Sequence, residues 1–239
     1  MTCGLVQGAL VGVAGWPTKI TRTVNDNAGH SNTWTYQLSA PSSNNSTVTV
    51  TETDPANNVT VINYVGASTA FIGSGCTTYS SECTYTYIQA EKLSYTGAAV
   101  SQNLIGKQVT CYNGSNSSES GCVTPSVPIF FPISQTDVYT HMIGSGGTIG
   151  TASDVHTVFD TYGNVTSNIN YNYGATFPPS GAPLSTTTTV YNSAGSCGTL
   201  AVAAMHDRPC AVTVSGPSGT ASQVEYTYNS AGHATQTKT

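Results

Sequence analysis

The chain has 239 residues, enough for one domain or at most two. Only 7 % of its residues are charged, and the formal net charge is −5 at pH 7. Binding to nucleic acid or to an anionic membrane surface needs clustered Lys and Arg, so this composition argues against both as partners. The 14 Tyr, together with abundant Thr, Ser and Val, are typical of a half-buried sheet surface and favour an all-β fold.

The N-terminal segment, residues 1–18, is apolar. It lacks the basic start and the small-residue cleavage pattern of a signal peptide. We therefore expect any export signal to lie outside this chain, which would then be a piece of a longer protein. No stretch of the sequence reaches the ~18 consecutive apolar residues of a membrane span.

Short runs in which apolar and polar residues alternate predict several strands, because successive side chains of a strand point to opposite faces. Clusters of Gly, Pro, Asn and Ser separate the runs, as turns require. The segment Tyr87–Leu93 fits either a strand or a short helix, and no longer helical pattern is found. The predicted strands are Thr47–Thr53, Val59–Tyr64, Thr84–Tyr87, Thr186–Tyr191, Ala211–Ser215 and Val224–Tyr228.

A five-residue pattern recurs between these runs: Asp or Asn, any residue, Ala or Tyr, Gly or Asn, and a polar residue. A gap of 106 residues between the second and third copies leaves room for about two divergent units, of which Tyr112–Gly114 is a candidate trace. The first positions of the five copies are Asp26, Asp54, Asp160, Asn192 and Asn229, and the fourth positions are Gly29, Asn57, Gly163, Gly195 and Gly232.

The residue types of this pattern predict a hairpin turn. An Asp or Asn side chain at the first position accepts a hydrogen bond from the backbone N–H two residues later. Gly, or Asn in its place, adopts the positive φ that follows a type I turn in a hairpin with a bulge. Five copies flanked by predicted strands indicate a repeat of β-hairpins.

The segment Phe159–Thr166 (FDTYGNVT) resembles the core motif of the RHS-repeat or YD-repeat family. Tyr228–Thr235 is similar, with Asn229 in place of the Asp. Two further stretches, Tyr171–Thr189 and Asp207–Tyr228, resemble the spacers of long bacterial members. The resemblance is strongest from about Val155 to the end, is fair over 19–64 and is weak over 65–154.

This resemblance implies that hairpins wind into a spiral sheet, which closes into a hollow shell in complete family members. Bacterial shells enclose a toxic polypeptide, and related animal proteins carry such shells on cell surfaces. The conserved self-cleavage segment and the toxin domain have no counterpart here. The chain is accordingly divided into an apolar segment (1–18), YD-like repeats (19–64), a divergent Cys-containing β region (65–154) and YD/RHS repeats (155–239).

Six of the seven Cys fall into couples separated by 7, 11 and 13 residues, distances that suit bridges across hairpins or loops. Zinc sites usually contain a closer C-x₂₋₄-C pair, and the chain has none. Disulfides are therefore favoured over a metal site and imply an oxidising compartment, although small buried thiols are an alternative. Cys3 has no obvious partner. The three couples are Cys76 with Cys83, Cys111 with Cys122, and Cys197 with Cys210.

Few residues suggest a catalytic or ligand-binding role. Asp154 and His156 would share a strand face, as an acid–base or metal pair requires, but no third member is evident. His206 adjoins Asp207, and His30 and His233 take the same repeat position, which favours a structural role. The glycine-rich stretch 144–147 lacks the Gly-Lys-Ser/Thr ending of a phosphate loop. We therefore predict no catalytic, cofactor-binding or metal-binding residues.

The expected function is structural. The sequence favours a partial shell of antiparallel repeats belonging to an extracellular or cell-surface protein that delivers a toxin or mediates contact. Its partners would be further RHS repeats or an enclosed polypeptide. The alternative is an adhesin module that binds glycans through Tyr and Trp, including Trp16 and Trp34, although aromatic residues of a repeat sheet usually pack within it.

Overall fold

The computed structural model describes residues 18–26, 28–41, 46–68, 78, 85–114, 118–174, 181–191, 206–229 and 231–238. These residues contain 14 strands and one five-residue α-helix, which confirms the all-β class. Helix α1 spans Glu119–Val123. The strands are β1 Lys19–Asn25, β2 Ser31–Leu38, β3 Thr47–Thr53, β4 Val59–Ser68, β5 Thr86–Tyr95, β6 Leu104–Tyr112, β7 Ile129–Phe130, β8 Gln135–Ile143, β9 Ile149–Phe159, β10 Val165–Gly174, β11 Ser185–Tyr191, β12 Pro209–Gly216, β13 Gly219–Tyr228 and β14 Ala234–Lys238.

The strands follow one another through a single open sheet in sequence order, except for β7. Sequential neighbours pair antiparallel, as short connections require, whereas β7 pairs parallel with the end of β4. Strands β1 and β14 occupy the two ends of this order. Within the described part of the chain, each of them pairs with one strand.

Two compact units divide the described residues. The first unit consists of residues from 1–111, 115–131 and 140–150, and the second of residues from 112–114, 132–139 and 151–239. The first unit holds most of the buried apolar side chains; they are Val48, Val65, Ala67, Tyr85, Ala90, Leu104, Val109, Cys111, Cys122 and Ile129. In the second unit Tyr139, Ala152 and Cys210 are buried beside one charged residue, Asp154.

Segment Tyr87–Leu93, which fits either a strand or a helix by sequence, lies in β5. Its register pairs Glu91 with Asn63 of β4 on one side and with Val109 of β6 on the other. Side chains directly opposite one another share a face. The polar row Thr49, Asn63 and Glu91 therefore crosses β3, β4 and β5 on the face that carries Val109.

Candidate functional site

The repeat turns adopt one common geometry in the four copies that the structure describes. In each copy, the first-position Oδ1 accepts hydrogen bonds from the amides of the third and fifth residues, over 2.8–3.0 Å. The backbone N–H of the first residue donates to the carbonyl of the fifth, and that of the fourth donates back to the first. These turns join β1 to β2, β3 to β4, β9 to β10 and β13 to β14.

The fourth turn position has a positive φ in all four described copies: +87° at Gly29, +62° at Asn57, +84° at Gly163 and +76° at Gly232. These values lie in the left-handed region, which Gly enters without a steric cost and Asn tolerates. The copy that begins at Asn192 and includes Gly195 lies outside the described residues. Asn113 also has a positive φ, but its Oδ1 accepts from Ser134, so Tyr112–Gly114 does not form the same turn.

Hydrogen bonds to the turn carboxylates lower the pKa of the three Asp residues. For Asp26 the largest cause is the His30 amide, and for Asp54 it is the Asn58 side chain. At Asp160 burial works against ionisation, but the side chain and amide of Asn164 outweigh it and the pKa is still lowered. A lowered pKa stabilises the fold above the ordinary Asp range, and this contribution disappears as the pH falls through the folded-state pKa.

A charged cluster of Glu91, Lys107, Glu119 and His141 lies in the first unit. The ammonium of Lys107 is 2.6 Å from Glu119 Oε2 and 3.9 Å from Glu91 Oε1. The Nε2 atom of His141 is 2.7 Å from the other oxygen of Glu119. Between 6 % and 22 % of each side chain is exposed, so these ion pairs are largely shielded from solvent.

The second nitrogen of His141 contacts the backbone. Its Nδ1 lies 3.1 Å from the carbonyl oxygen of Gly150, which can only accept, so Nδ1 carries a proton. The Nε2 atom lies at ion-pair distance from Glu119 but makes no hydrogen bond. Lys107 is therefore the residue of the cluster that donates a hydrogen bond to a carboxylate, that of Glu119.

Hydrogen bonds extend the charged cluster into the sheet. The Asn63 amide donates to Glu91 over 2.7 Å, and the Thr49 hydroxyl donates to Asn63 over 2.8 Å. A cavity of about 420 Å³ borders Glu91, Lys107, Glu119 and residues of α1 and its C-terminal end. The pairing of Lys107 with both carboxylates favours a role in fixing α1 to the sheet.

Helix α1 is held at both of its ends. The Ser118 hydroxyl caps its start by accepting from the Gly121 amide, and a disulfide joins Cys122 to Cys111 of β6 with a Cα–Cα distance of 5.0 Å. The predicted bridge between Cys111 and Cys122 is thereby confirmed. Such a bridge is typical of proteins that fold in an oxidising compartment.

The other two predicted cysteine couples fall largely outside the part of the chain that the structure describes. Both Cys76 and Cys83 lie outside the described residues. Of Cys197 and Cys210, only Cys210 is described, with 8 % of it exposed. The bridge between Cys76 and Cys83 and the bridge between Cys197 and Cys210 therefore stay predictions.

An acid–histidine cluster of Asp137, Asp154 and His156 lies in the second unit. The Nδ1 atom of His156 is 2.5 Å from Asp137 Oδ1, an ion pair between β9 and β8. Asp154 is 3 % exposed, and its Oδ1 has no hydrogen-bond partner. The sequence singled out Asp154 and His156 but missed Asp137, whose only signal is the alternation of Asp137, Tyr139 and His141 along β8.

Burial is the largest cause of a shift that raises the pKa of Asp154 to about 7, and the charge of Asp137 adds to it. His156 and the amides of Val138 and Val155 oppose the shift. A carboxyl group with this pKa exchanges its proton near neutral pH. Because Asp154 is almost fully buried, the group is suited to holding a proton inside the fold and poorly suited to meeting a substrate.

The other residues that the sequence singled out make contacts within the fold. Within the described ranges, no group of three or more His, Cys, Asp or Glu side chains is arranged to hold a metal ion. The loop 144–147 packs tightly, because a Cβ on Gly147 would overlap the carbonyl oxygen of Ser101. Close backbone packing therefore explains the Gly at this position. His30 is bound to its own turn, with Nδ1 2.8 Å from Asp26 Oδ2.

Two aromatic residues make contacts at the surface. The ring of Tyr162, in the third-copy turn, stacks on His206 at 3.8 Å between centroids and is 54 % exposed. The guanidinium of Arg22 lies over the ring of Trp34 at 5.4 Å. Trp16 lies outside the described residues.

No protein-family model matches the chain, and no curated protein matches it. Among the residues described by the structure, no helix is long and apolar enough to cross a membrane.

Proposed function

We propose that this chain is a structural, wall-forming module of an RHS/YD-type repeat protein, secreted or exposed at a cell surface, that encloses a polypeptide or mediates contact. The observation that carries the proposal is the recurrence of one turn geometry, with the same hydrogen bonds, in four hairpins of a sheet that follows the sequence order. A sheet built this way grows by adding hairpins, each of which contacts mainly its neighbours.

The partners of such a module would be further repeats of the same kind, or the polypeptide that the wall encloses. The low proportion of charged residues reduces repulsion between stacked hairpins. A net charge of −5 gives no support to nucleic acid as a partner. The Cys111–Cys122 disulfide supports an exported location.

Extension of the sheet depends on the free side of its end strands. On either side of β1, the Leu38 amide donates to the carbonyl of Thr18 and the Asp26 amide donates to the carbonyl of His30. The even-numbered residues of β1 therefore face β2, and the alternation directs the N–H groups of odd-numbered residues away from it. All seven residues of β1 are exposed. Among the described residues, no strand lies on that side of β1, so the N–H of Thr21 can donate to a further strand.

We expect the chain to self-associate through this edge and Thr21→Pro to weaken the association about tenfold, because proline removes a donor and each backbone hydrogen bond is worth about 1 kcal/mol. Sedimentation velocity over a range of concentrations measures the effect. The variant should keep the melting temperature of the wild type, since Thr21 donates no hydrogen bond to β2.

Val24→Pro is the matched control, because its N–H faces β2. This variant should lower the melting temperature. A wild-type chain that stays monomeric at every concentration, or a Thr21→Pro variant that associates as strongly as the wild type, contradicts growth of the wall through β1.

The alternative function, glycan binding, has one observation in its favour. One face of the exposed Tyr162 ring is stacked on His206, so the other face is free to pack against the C–H edge of a sugar. If the chain is an adhesin, Tyr162→Ala should abolish binding on a glycan array, whereas Tyr173→Ala, which removes a ring that is 47 % exposed, should leave it intact. Absence of wild-type binding to any glycan on the array contradicts this alternative.

A further inference from the structure

Asp154 is the one charged residue that is buried among those the structure describes. It is 3 % exposed, on a strand whose other buried side chain is Ala152. One of its oxygens, Oδ1, meets no hydrogen-bond donor. An ionised carboxylate in such a position has lost its hydration without full compensation, so its neutral form is favoured.

The groups around Asp154 determine how its protonation affects the fold. Asp137 faces it from β8, and His156 lies two residues further along β9 and on the same face. On the other side of β9, Tyr171 of β10 lies directly opposite Asp154. The Nδ1–H of His156 donates to Asp137, because an ionised carboxylate can only accept.

Two charge states of the cluster follow from this arrangement. When Asp154 carries a proton, the imidazole and one carboxylate form a compact pair beside a neutral group. When Asp154 is ionised, two carboxylates compete for one imidazole inside the sheet. Because like charges at close range repel strongly where water is excluded, the second state is the less stable one.

We propose that Asp137, Asp154 and His156 form a proton-controlled lock, which holds β9 against its neighbours while Asp154 is protonated and loosens when that proton is lost. The backbone supports this role. The register of β9 against β10 shifts between Tyr171 and Gly174, next to Asp154, so regular pairing ends close to the lock. This inference does not depend on the wall-forming function.

Carboxyl ¹³C NMR of the chain labelled at Asp tests the lock directly, with the Asp154 signal assigned by its loss in Asp154→Asn. The Asp154 carboxyl should titrate near pH 7. Its midpoint should rise in His156→Gln, which removes the opposing imidazole, and should fall in Asp137→Asn, which removes the repelling carboxylate. An Asp154 midpoint below pH 5 overturns the proposal. So does a midpoint that is the same in the wild type, His156→Gln and Asp137→Asn.

Unfolding measurements test the consequence for stability. The unfolded Asp154 is ionised above pH ~4 while the folded residue keeps its proton, so unfolding releases about one proton. The wild-type unfolding constant should therefore rise about 30-fold more than that of Asp154→Asn between pH 5 and pH 6.5, because one proton corresponds to about tenfold per pH unit.

Asp207→Asn is the matched control, since the Asp207 side chain is 67 % exposed. Its unfolding constant should follow the wild-type pH dependence. Amide hydrogen exchange over 152–158 should be faster at pH 8 than at pH 6, after correction for intrinsic rates, in the wild type only. If Asp154→Asn keeps the wild-type pH dependence of unfolding, the lock does not exist.

Discussion

Lys107→Met should lower the free energy of unfolding by about 3–5 kcal/mol, the usual result of removing one partner from a buried ion pair. Lys107 is the cation shared by Glu91 and Glu119, at 3.9 and 2.6 Å, and its side chain is 14 % exposed. Methionine fills a similar volume but leaves Glu91 without a positive neighbour and Glu119 with His141 alone. Urea denaturation at pH 7 measures the loss.

Two further variants separate the loss of charge from the change of shape. Lys92→Met makes the same substitution at the next strand of the sheet, on an exposed residue, and should change stability by no more than about 0.5 kcal/mol. Adding Glu91→Gln to Lys107→Met should recover part of the loss, since it removes the carboxylate that Lys107→Met leaves without a positive neighbour. Equal effects of Lys107→Met and Lys92→Met would show that the charged cluster does not stabilise the fold.

The strands that the sequence predicts are those in which apolar and polar residues alternate. β3 agrees with its predicted bounds, and β4, β11, β12 and β13 contain the predicted runs, because Val and Tyr alternate there with Thr and Ser. β1 was not predicted. All of its residues are exposed, so no apolar period distinguishes its two faces.

Helix propensity alone does not decide the structure of β5. Ala90, Glu91, Lys92 and Leu93 favour helices as isolated residues. Pairing with both β4 and β6 overrides that preference, since a central strand gains hydrogen bonds along both edges. The single turn of helix at Glu119–Val123 was missed because it is too short to show a helical period and is held by contacts with the sheet.

The turns were predictable because they are local. The hydrogen bonds that the first-position side chain accepts join residues at most four apart, so residue types at fixed spacing specify the turn. The clusters were not predictable, since Lys107 is 12 residues from Glu119 and Asp137 is 19 from His156. Only the fold brings such pairs together, and with 7 % charged residues the sequence offers few positions to compare.

The described residues of 65–154 continue the sheet without the repeat turn. The hairpins β5–β6 and β8–β9 close through the connections 96–103 and 144–148. In the first of these, Asn103 donates its side-chain amide to Ala98. In the second, Gly146 and Gly147 supply the positive φ values. Different local chemistry therefore gives the same antiparallel pairing, which explains why the sequence pattern ends at 65 while the strands do not.

Replacing both cysteines of the Cys111–Cys122 disulfide with Ala should cost about 2–4 kcal/mol, because the bridge closes a loop of about 12 residues that would be free in the unfolded chain. Part of this loss of stability arises at α1 itself. A helix of five residues is not stable alone, and α1 positions Glu119 against Lys107 and His141. Without the bridge, the amides of Gly121 and Thr124 should lose protection from hydrogen exchange before the strands of the sheet do.

The disulfide and the charged cluster should depend on each other, and a double-mutant cycle measures this. If the bridge holds Glu119 in place, Lys107→Met should cost less in the Cys111→Ala/Cys122→Ala background than in the wild type, by about 0.5–3 kcal/mol. Lys92→Met should cost the same in both backgrounds. Additive effects of Lys107→Met and the cysteine replacements would instead mean that the charged cluster orders α1 without help from the disulfide.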